Sequence, residues 1–210
     1  NARAVAEFAV GLILAETRNI ARTHAAMMEH VWLKDFPNGE DIPELEGRTV
    51  GIVGAGAIGQ LVMKFLTGMD ATCVFYDPYC QSSPWGTKVE DLADLVAASD
   101  VLSIHSRLSA DTHHLIDRDL LARMKPSAIL VNTARSGLVD EEALLDCLEA
   151  GRIMGAAIDT FDREPLPADS RWLTLRNVTI TSHLAGSTKD AFRKTPRMLS
   201  KRILTALEEG

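Results

Sequence analysis

The amino-acid sequence predicts a doubly wound α/β fold, in which helices cover both faces of a parallel β-sheet. Short aliphatic segments such as Val101 to His105 alternate with longer segments whose apolar residues recur at helical spacing. A glycine-rich loop, Gly54-Ala55-Gly56-Ala57-Ile58-Gly59, joins one aliphatic segment to a helical one. Strands that alternate with helices in this way pair in parallel and are buried on both faces, which explains their continuous aliphatic character.

The size and composition of the chain suit one globular domain, or little more. Apolar residues make up 46% of the 210 residues and aromatic residues only 5%, so aliphatic side chains are expected to fill the core. A formal net charge of −7 without any basic run argues against a nucleic-acid partner. The longest apolar run, Phe8 to Ala15, is far shorter than the roughly 20 residues of a membrane span, so no membrane partner is expected.

The cysteines and histidines show no pattern typical of a disulfide framework or a metal site. Cys73, Cys80 and Cys147 form no Cys-x-x-Cys pair, and no signal peptide pattern is present, so a reducing cytoplasmic location is expected. His113 and His114 are adjacent rather than at the spacing of metal ligands. We therefore expect no bound metal.

The chain begins with a segment whose apolar residues recur at helical spacing. Apolar residues from Val5 to Val31 predict a long helix within residues 1–34, ended by Pro37-Asn38-Gly39. Because the chain begins with Asn1 and enters a helical pattern at once, we interpret it as a piece of a longer protein. Processing at the N-terminus is the alternative interpretation.

Strands and helices alternate through residues 46–186, the predicted core of the fold. Strands are predicted over 48–53, 71–76, 101–105, 128–132, 153–158 and 178–181. Helices are predicted over 58–68, 90–98, 117–124 and 140–150. Acidic residues in the first turn of the last of these helices favour its start, because the helix dipole stabilises anions there.

The final segment, 187–210, predicts an amphipathic helix. Pro196 lies inside the pattern and is expected to kink the helix or split it near Thr195, because proline has no backbone N–H. The residues of its apolar side are Met198, Leu199, Ile203, Ala206 and Leu207.

Each glycine of the loop has a predicted task in binding a dinucleotide. Gly54 allows a tight turn, Gly56 lets the backbone approach a pyrophosphate, and Gly59 lets the helix pack closely on the strand. The helix that opens at Ala57 and Ile58 offers free N–H groups to the phosphates. A glycine turn that only tightens the corner between strand and helix is the alternative.

Asp77 ends the next predicted strand, where an acidic residue accepts hydrogen bonds from the adenosine ribose. Its carboxylate would repel a 2′-phosphate, and no arginine follows it directly, so the sequence favours NAD over NADP. The alternative is that Asp77 only starts the turn before Pro78.

Three later residues place a cation, a carboxylate and an imidazole after successive predicted strands: Arg135, Glu164 and His183. Such a set, following a dinucleotide loop, suits hydride transfer to a carbonyl next to a carboxylate. Taken singly, each has a plainer interpretation, as a surface arginine, a solvated glutamate and a structural histidine.

The motifs around these residues resemble those of the D-isomer-specific 2-hydroxyacid dehydrogenases. They are segments 130–141, 155–166 and 181–188, with Ala4-Val5-Ala6-Glu7 at the start. The resemblance spans nearly the whole chain and is phosphoglycerate dehydrogenase-like. It implies a Rossmann-type NAD-binding domain, an N-terminal substrate domain that is missing from this chain, and a last helix that returns toward that domain.

The resemblance also implies roles for single residues. Arg135 would hold the substrate carboxylate and carbonyl, His183 would be the acid–base group, and Glu164 would pair with the imidazole and orient it. Asp159 would contact the nicotinamide carboxamide. The expected NAD-binding residues, from the glycine loop and the resemblance together, are Gly54, Gly56, Ala57, Ile58, Gly59, Asp77, Ser106, Arg107, Thr112, Thr133, Ala134, Arg135, Asp159, His183 and Gly186.

The resemblance further implies a small 2-hydroxyacid or 2-keto acid substrate, which the sequence does not identify, and a homodimer formed through the helix over residues 2–28. The chain alone would bind NAD but turn over poorly. An NAD-sensing, corepressor-like module is the alternative. Formate dehydrogenase is disfavoured, because that branch typically has glutamine where Glu164 stands. Adenosylhomocysteine hydrolase has a similar glycine loop but not the later motifs.

Some positions depart from the family pattern. Arg107 stands where the family often has proline, Ser136 replaces a frequent glycine, and Ser182 replaces a frequent proline. None of these departures removes a predicted catalytic group.

Overall fold

Seven strands form one sheet in the computed structural model, which describes residues 1–33 and 44–208. In chain order the strands are β1 (Thr49–Val53), β2 (Thr72–Tyr76), β3 (Thr87–Lys88), β4 (Val101–Ile104), β5 (Ile129–Asn132), β6 (Gly155–Ile158) and β7 (Val178–Ile180). They lie in the order β3-β2-β1-β4-β5-β6-β7, and every pairing is parallel. The predicted parallel sheet is confirmed, although the two-residue edge strand β3 was not predicted.

Helices connect most of the strands. The α-helices are α1 (Ala2–Thr17), α2 (Ile20–Met28), α3 (Ala57–Thr67), α4 (Leu92–Ala98), α5 (Arg118–Leu121), α6 (Glu141–Glu149) and α7 (Lys189–Glu208). Short 3₁₀ helices span Ala110–Thr112, Ser136–Leu138 and Arg171–Leu173. The four helices predicted within the core match α3 to α6, but α5 is half the predicted length.

The core consists of two apolar clusters, one on each face of the sheet. Neighbouring residues of one strand belong to different clusters, as Leu130 and Val131 of β5 do, because successive side chains of a strand point to opposite faces. One cluster packs against α4 and α6, and the other against α1 and α3. The sheet is therefore covered on both faces, as a doubly wound fold requires.

The prediction of a single long helix at the start of the chain is wrong, because the structure has two helices there. Asn19 separates α1 from α2 with a left-handed backbone, φ 53°, which asparagine tolerates better than most residues. At this corner the buried Glu16 pairs with Arg22 and accepts a 2.8 Å hydrogen bond from the Thr179 hydroxyl of β7. The predicted turn at Pro37-Asn38-Gly39 lies outside the described residues.

The last helix, α7, runs through Pro196 as one element, so of the two expected outcomes the split near Thr195 is wrong and the kink stays a prediction. Proline removes one main-chain hydrogen bond of a helix, and the twenty-residue α7 keeps regular turns on both sides of that position. Four residues of its predicted apolar side are between 52% and 74% exposed: Met198, Leu199, Ile203 and Leu207. Across residues 1–33 and 44–208, no helix combines the length and apolar character needed to cross a bilayer.

Candidate active site

The predicted site residues follow the carboxyl ends of the strands, which meet at one edge of the parallel sheet. The chain winds in opposite directions from β1 and β4, so a cleft opens between the ends of these two strands. Ligands of open α/β sheets bind at such a switch point. The segments that follow β1, β2, β4, β5, β6 and β7 begin at Gly54, Asp77, His105, Thr133, Asp159 and Thr181 respectively.

The glycine loop has the geometry of a phosphate-binding turn. Gly54 has φ +95°, and a Cβ there would lie 2.7 Å from the backbone nitrogen of Ser106. A Cβ on Gly59 would lie 2.1 Å from the Gly54 carbonyl oxygen, whereas one on Gly56 would meet nothing within 4 Å. Since α3 begins at Ala57 without a side-chain cap, its first N–H groups face this open space. The loop therefore fits the diphosphate of a dinucleotide.

Asp77 fastens the turn after β2 to the glycine loop. One carboxylate oxygen accepts a 2.8 Å hydrogen bond from the Ala55 N–H, and the other accepts from the N–H groups of Tyr79 and Cys80. Asp77 thus starts the turn before Pro78 and also shapes the cofactor loop. Its oxygens have further lone pairs, and the contact with the ribose stays a prediction.

Arg135 lies on a short loop that Asn132, the last residue of β5, holds in place. The buried Asn132 side chain accepts from the Ala134 N–H at 3.0 Å and donates to the Arg135 carbonyl at 2.9 Å. The Arg135 guanidinium is exposed and donates to the Ala134 carbonyl at 2.6 Å. Sequence reasoning did not assign a role to Asn132. An amide at the end of a buried aliphatic strand was the signal available.

Glu164 and His183 form a direct pair. His183 Nδ1 lies 2.8 Å from Glu164 Oε2, while Glu164 Oε1 accepts from the Phe161 N–H at 2.9 Å. The side chains of His183 and Glu164 are 44% and 36% exposed, so the pair borders solvent. A carboxylate can only accept hydrogen bonds, so Nδ1 carries the shared proton and Nε2 is left without a partner in this pair.

The surroundings of Glu164 favour its charged form. Partial burial alone would raise the pKa, but hydrogen bonds from His183 and the Phe161 N–H, together with the charges of His183 and Arg135, outweigh burial and lower the pKa below its ordinary value. Glu164 is therefore a carboxylate at neutral pH and holds the proton on His183 Nδ1.

Asp159 positions the loop that carries His183. His183 has a left-handed backbone, φ 57°, a conformation that costs a residue with a side chain about 1–3 kcal/mol. Fully buried Asp159 accepts from the N–H groups of Leu184 and Ala185 at 3.0 and 2.9 Å, and from the Thr181 hydroxyl at 2.5 Å. These hydrogen bonds hold the strained turn. Asp159 therefore has a positioning role in the loop, and its expected contact with the nicotinamide stays a prediction.

Two clefts lie beside these residues. One, of about 680 Å³, is lined by Glu164 and His183, and the other, of about 530 Å³, is lined by Ile58, Arg107 and Arg135. The structure thus brings two of the three predicted catalytic residues into contact. Arg135 touches neither, although its charge acts on Glu164.

Two buried polar atoms beside the 530 Å³ cleft have no partner within the described part of the chain: His105 Nδ1 and Thr133 Oγ1. Burial lowers the pKa of His105 to about 4, so the ring is neutral at physiological pH. Buried polar atoms are rarely left unpaired, so these atoms are available to the groups of a bound cofactor. The glycine loop and these unpartnered atoms therefore fit a bound dinucleotide.

The remaining predicted cofactor residues have mixed positions. Ser106 lines the 530 Å³ cleft. The Thr112 hydroxyl donates to the Arg107 carbonyl at 2.7 Å and so shapes the loop, while its contact with the cofactor stays a prediction. Gly186 packs against the first residue of the chain, since a Cβ there would lie 2.6 Å from Asn1 Nδ2. Over the described ranges, no three His, Cys, Asp or Glu side chains are grouped as metal ligands.

Fold and cleft together define a dinucleotide-binding domain of the doubly wound class. The family model described as the NAD-binding domain of D-isomer-specific 2-hydroxyacid dehydrogenases matches residues 10–185. The chain therefore belongs to the D-isomer-specific 2-hydroxyacid dehydrogenase family, and it is an NAD-binding domain of that family.

Individual relatives agree with this assignment. D-3-phosphoglycerate dehydrogenase of Mycobacterium tuberculosis is 38% identical over 99% of the chain, and glyoxylate reductase of Thermofilum pendens is 38% identical over 98%. The NAD complex of a D-isomer-specific 2-hydroxyacid dehydrogenase from Lactobacillus delbrueckii aligns with all of the chain at a TM-score of 0.86 and 30% identity. The chain spans 39%, 62% and 67% of these three proteins respectively.

Proposed function

We propose that the protein is an NAD-dependent oxidoreductase that interconverts a D-2-hydroxyacid and the corresponding 2-keto acid. The observation that carries this proposal is the Glu164–His183 pair, bonded at 2.8 Å at the same sheet edge as the glycine loop. A histidine whose Nδ1 proton is held by a carboxylate presents Nε2 as an acid–base group. The cofactor with which such a group would act is NAD, because the chain belongs to a family with an NAD-binding domain.

In the proposed reduction, the hydride that adds to the carbonyl carbon of the 2-keto acid would come from NADH bound at the glycine loop. His183 donates its Nε2 proton to the carbonyl oxygen, which becomes the hydroxyl of the product. In the oxidation His183 Nε2 accepts the hydroxyl proton instead. Glu164 keeps the ring in one orientation through the hydrogen bond at Nδ1 and stays ionised throughout.

Arg135 binds the substrate carboxylate in this proposal. Its guanidinium is permanently charged and planar, and it can form two parallel hydrogen bonds with a carboxylate. The hydrogen bond from the Asn132 side chain fixes the Arg135 backbone, while the Arg135 side chain stays exposed to the cleft. The bound acid would then lie with its carbonyl toward His183.

The proposal is tested by turnover in the protein with its complete reading frame. NADH oxidation is followed by absorbance across a panel of 2-keto acids, for the unaltered protein and for His183→Ala. Alanine is expected to lower kcat/KM by about 10²- to 10⁴-fold, the usual range for loss of an acid–base group. Arg123→Gln, which replaces an exposed arginine just after α5, is the control and should leave turnover unchanged.

Binding of NADH without turnover of any keto acid would contradict the enzyme and favour the NAD-sensing module. Turnover that persists in His183→Ala would contradict the role of His183 alone. The panel also identifies the substrate.

The relatives contain residues beyond the stretch that this chain matches, and we propose that such residues complete the substrate site. The cleft of about 680 Å³ beside His183 is open to solvent on the described chain, and Arg135 lines a different cleft. We propose that the exposed apolar side of α7 packs against the substrate domain that such residues would form. The 210 residues alone are therefore expected to bind NADH but turn over poorly, and robust turnover by them would contradict this proposal.

We also propose a homodimer formed through α1 and α2. Large apolar side chains of α2 and the residues after it are exposed, by 70% at Met28 and 75% at Trp32. Adjacent exposed apolar side chains on a surface helix favour association, because pairing removes them from water. Sedimentation at micromolar concentration is expected to show a dimer, and Met28→Glu a monomer. A monomeric unaltered protein would contradict the proposal.

A further inference from the structure

The 530 Å³ cleft contains two arginines and no carboxylate among its lining residues. Arg135 follows β5 and is assigned above to the substrate. Arg107 follows β4; the family resemblance implies that it lines the NAD site but names no group of NAD as its partner. Its backbone carbonyl accepts a hydrogen bond, but its guanidinium forms no ion pair or hydrogen bond with any described residue. A positively charged side chain in a cleft without acids favours an anionic ligand.

The backbone places Arg107 beside the phosphate-binding loop. A Cβ on Gly54 would lie 2.7 Å from the Ser106 nitrogen, so the segment that carries Arg107 packs directly on the glycine loop. Arg107 also shares its cleft with Ile58, from the first turn of α3. The Thr112 hydroxyl, which donates to the Arg107 carbonyl at 2.7 Å, fixes the backbone there.

The glycine loop itself has no cation to balance a diphosphate. Residues 54–63 contain neither lysine nor arginine, so the loop itself offers a diphosphate its N–H groups and the partial charge of the helix N-terminus. A dinucleotide diphosphate carries two negative charges. Arg107 lines the same cleft as Ile58 of α3, and it is the arginine of that cleft that is not assigned to the substrate.

We infer that Arg107 forms charge-assisted hydrogen bonds with the diphosphate of NAD. Arginine suits this contact, because its planar guanidinium donates two parallel hydrogen bonds to phosphate oxygens. The proline that the family often has at this position cannot make such a contact. The inference rests on the proposed function only through the cofactor, and hydride transfer does not enter it.

Calorimetric titration of the purified protein with NADH, ADP-ribose and adenosine tests the inference. Arg107→Gln is expected to raise the dissociation constants of NADH and ADP-ribose about tenfold, the lower range for loss of a charged hydrogen bond at an exposed site. Affinity for adenosine, which has no phosphate, should not change. Arg107→Lys should recover part of the affinity, because it keeps the charge but not the planar fork.

Salt provides a second readout. NADH binding by the unaltered protein should weaken more steeply with ionic strength than binding by Arg107→Gln, because added salt screens the ion pair. Arg123→Gln, which removes an exposed arginine just after α5, is the matched control and should behave as the unaltered protein. Unchanged NADH affinity in Arg107→Gln would overturn the inference, as would an equal loss for adenosine, which would place Arg107 on the adenine.

Failure of the inference and of the proposed function are distinguishable, since one is read from binding and the other from turnover. An unchanged melting temperature of the free Arg107→Gln protein shows that the variant is folded. If Arg107→Gln melts at a lower temperature than the unaltered protein, the NADH affinities of Arg107→Lys and Arg123→Gln are compared instead. That comparison then decides whether Arg107 binds the diphosphate.

Discussion

At the scale of single residues, the Glu164 carboxylate determines which ring nitrogen of His183 is left free for the proposed acid–base role. Glu164→Gln keeps the size of the side chain but removes the charged acceptor for Nδ1–H. We expect kcat/KM to fall at least about tenfold in Glu164→Gln, with little change in NADH affinity. Steady-state kinetics and NADH titration of the same samples measure the two quantities.

The pH dependence of this pair follows from the lowered pKa of Glu164. Its ordinary value is 4.5, and a depressed pKa keeps the carboxylate charged until the pH falls below that value. The hydrogen bond to His183 is therefore complete at neutral pH and is lost as the pH falls through the lowered pKa. NMR observation of the His183 ring should detect this loss in the unaltered protein but not in Glu164→Gln. An identical titration in both proteins would contradict the assignment.

Asp159 provides a second prediction at this scale. Asp159→Asn replaces one acceptor oxygen with a donor, so at least one of its three hydrogen bonds to the His183 loop is lost. We expect a loss of about 1–3 kcal/mol in the free energy of unfolding and a lower kcat. Urea unfolding gives the first quantity. If Asp159→Asn leaves kcat unchanged but lowers the affinity for NADH, the result would favour a direct contact between Asp159 and the cofactor.

At the scale of elements, the glycine loop separates stability from cofactor binding. Gly54→Ala forces a side chain into a φ of +95° and against Ser106, so it should lower stability by at least about 1 kcal/mol and abolish NADH binding. Gly56→Ala has an ordinary backbone and meets nothing within 4 Å, so it should weaken NADH binding without loss of stability. Thermal melts and NADH titration of both variants test this pair of expectations.

The corner between α1 and α2 depends on a buried ion pair. The side chains of Glu16 and Arg22 are 0% and 8% exposed, so Arg22→Met leaves a carboxylate buried without its cation. Such a change costs about 3–5 kcal/mol of stability. The matched control is Arg3→Met, which breaks the Arg3–Glu7 pair on the surface, 69% and 57% exposed, and should hardly change stability.

The pH dependence of this destabilisation has a definite sign. Burial raises the pKa of Glu16, although Arg22 and Thr179 oppose the shift. A carboxyl with a raised pKa is best tolerated when protonated, so stability decreases as the pH rises through that pKa. The loss in Arg22→Met should therefore be smaller in mild acid than at neutral pH. Equal losses at both pH values would contradict a charged Glu16.

At the scale of the whole molecule, most of the fold was predictable, because two-sided burial makes parallel strands aliphatic and each strand reads as a short apolar run. The break at Asn19 was not, since the contact that accompanies it joins Glu16 to Thr179 on β7, far along the chain. The continuity of α7 through Pro196 was also missed. Local sequence shows where a proline lies but not whether the surrounding turns hold.

The candidate site divides in the same way. The Glu164–His183 contact was predicted from long motifs, whereas the hydrogen bonds by which Asn132 and Asp159 hold their loops were not predicted. Both depend on which backbone N–H groups surround a buried side chain, and that is determined by how neighbouring strand ends come together. Motifs identify reactive groups more readily than the buried side chains that hold their loops.

The position of β7 at the edge of the sheet has a consequence for partial unfolding. Edge strands open at lower free energy than central ones, and His183 follows β7, while the glycine loop follows the central β1. As urea is raised, the protein should therefore stop turning over before it releases NADH. Amide hydrogen exchange should show Val178–Ile180 losing protection ahead of Thr49–Val53. The molecule would pass through a partly unfolded state that still binds NADH but no longer catalyses the proposed reaction.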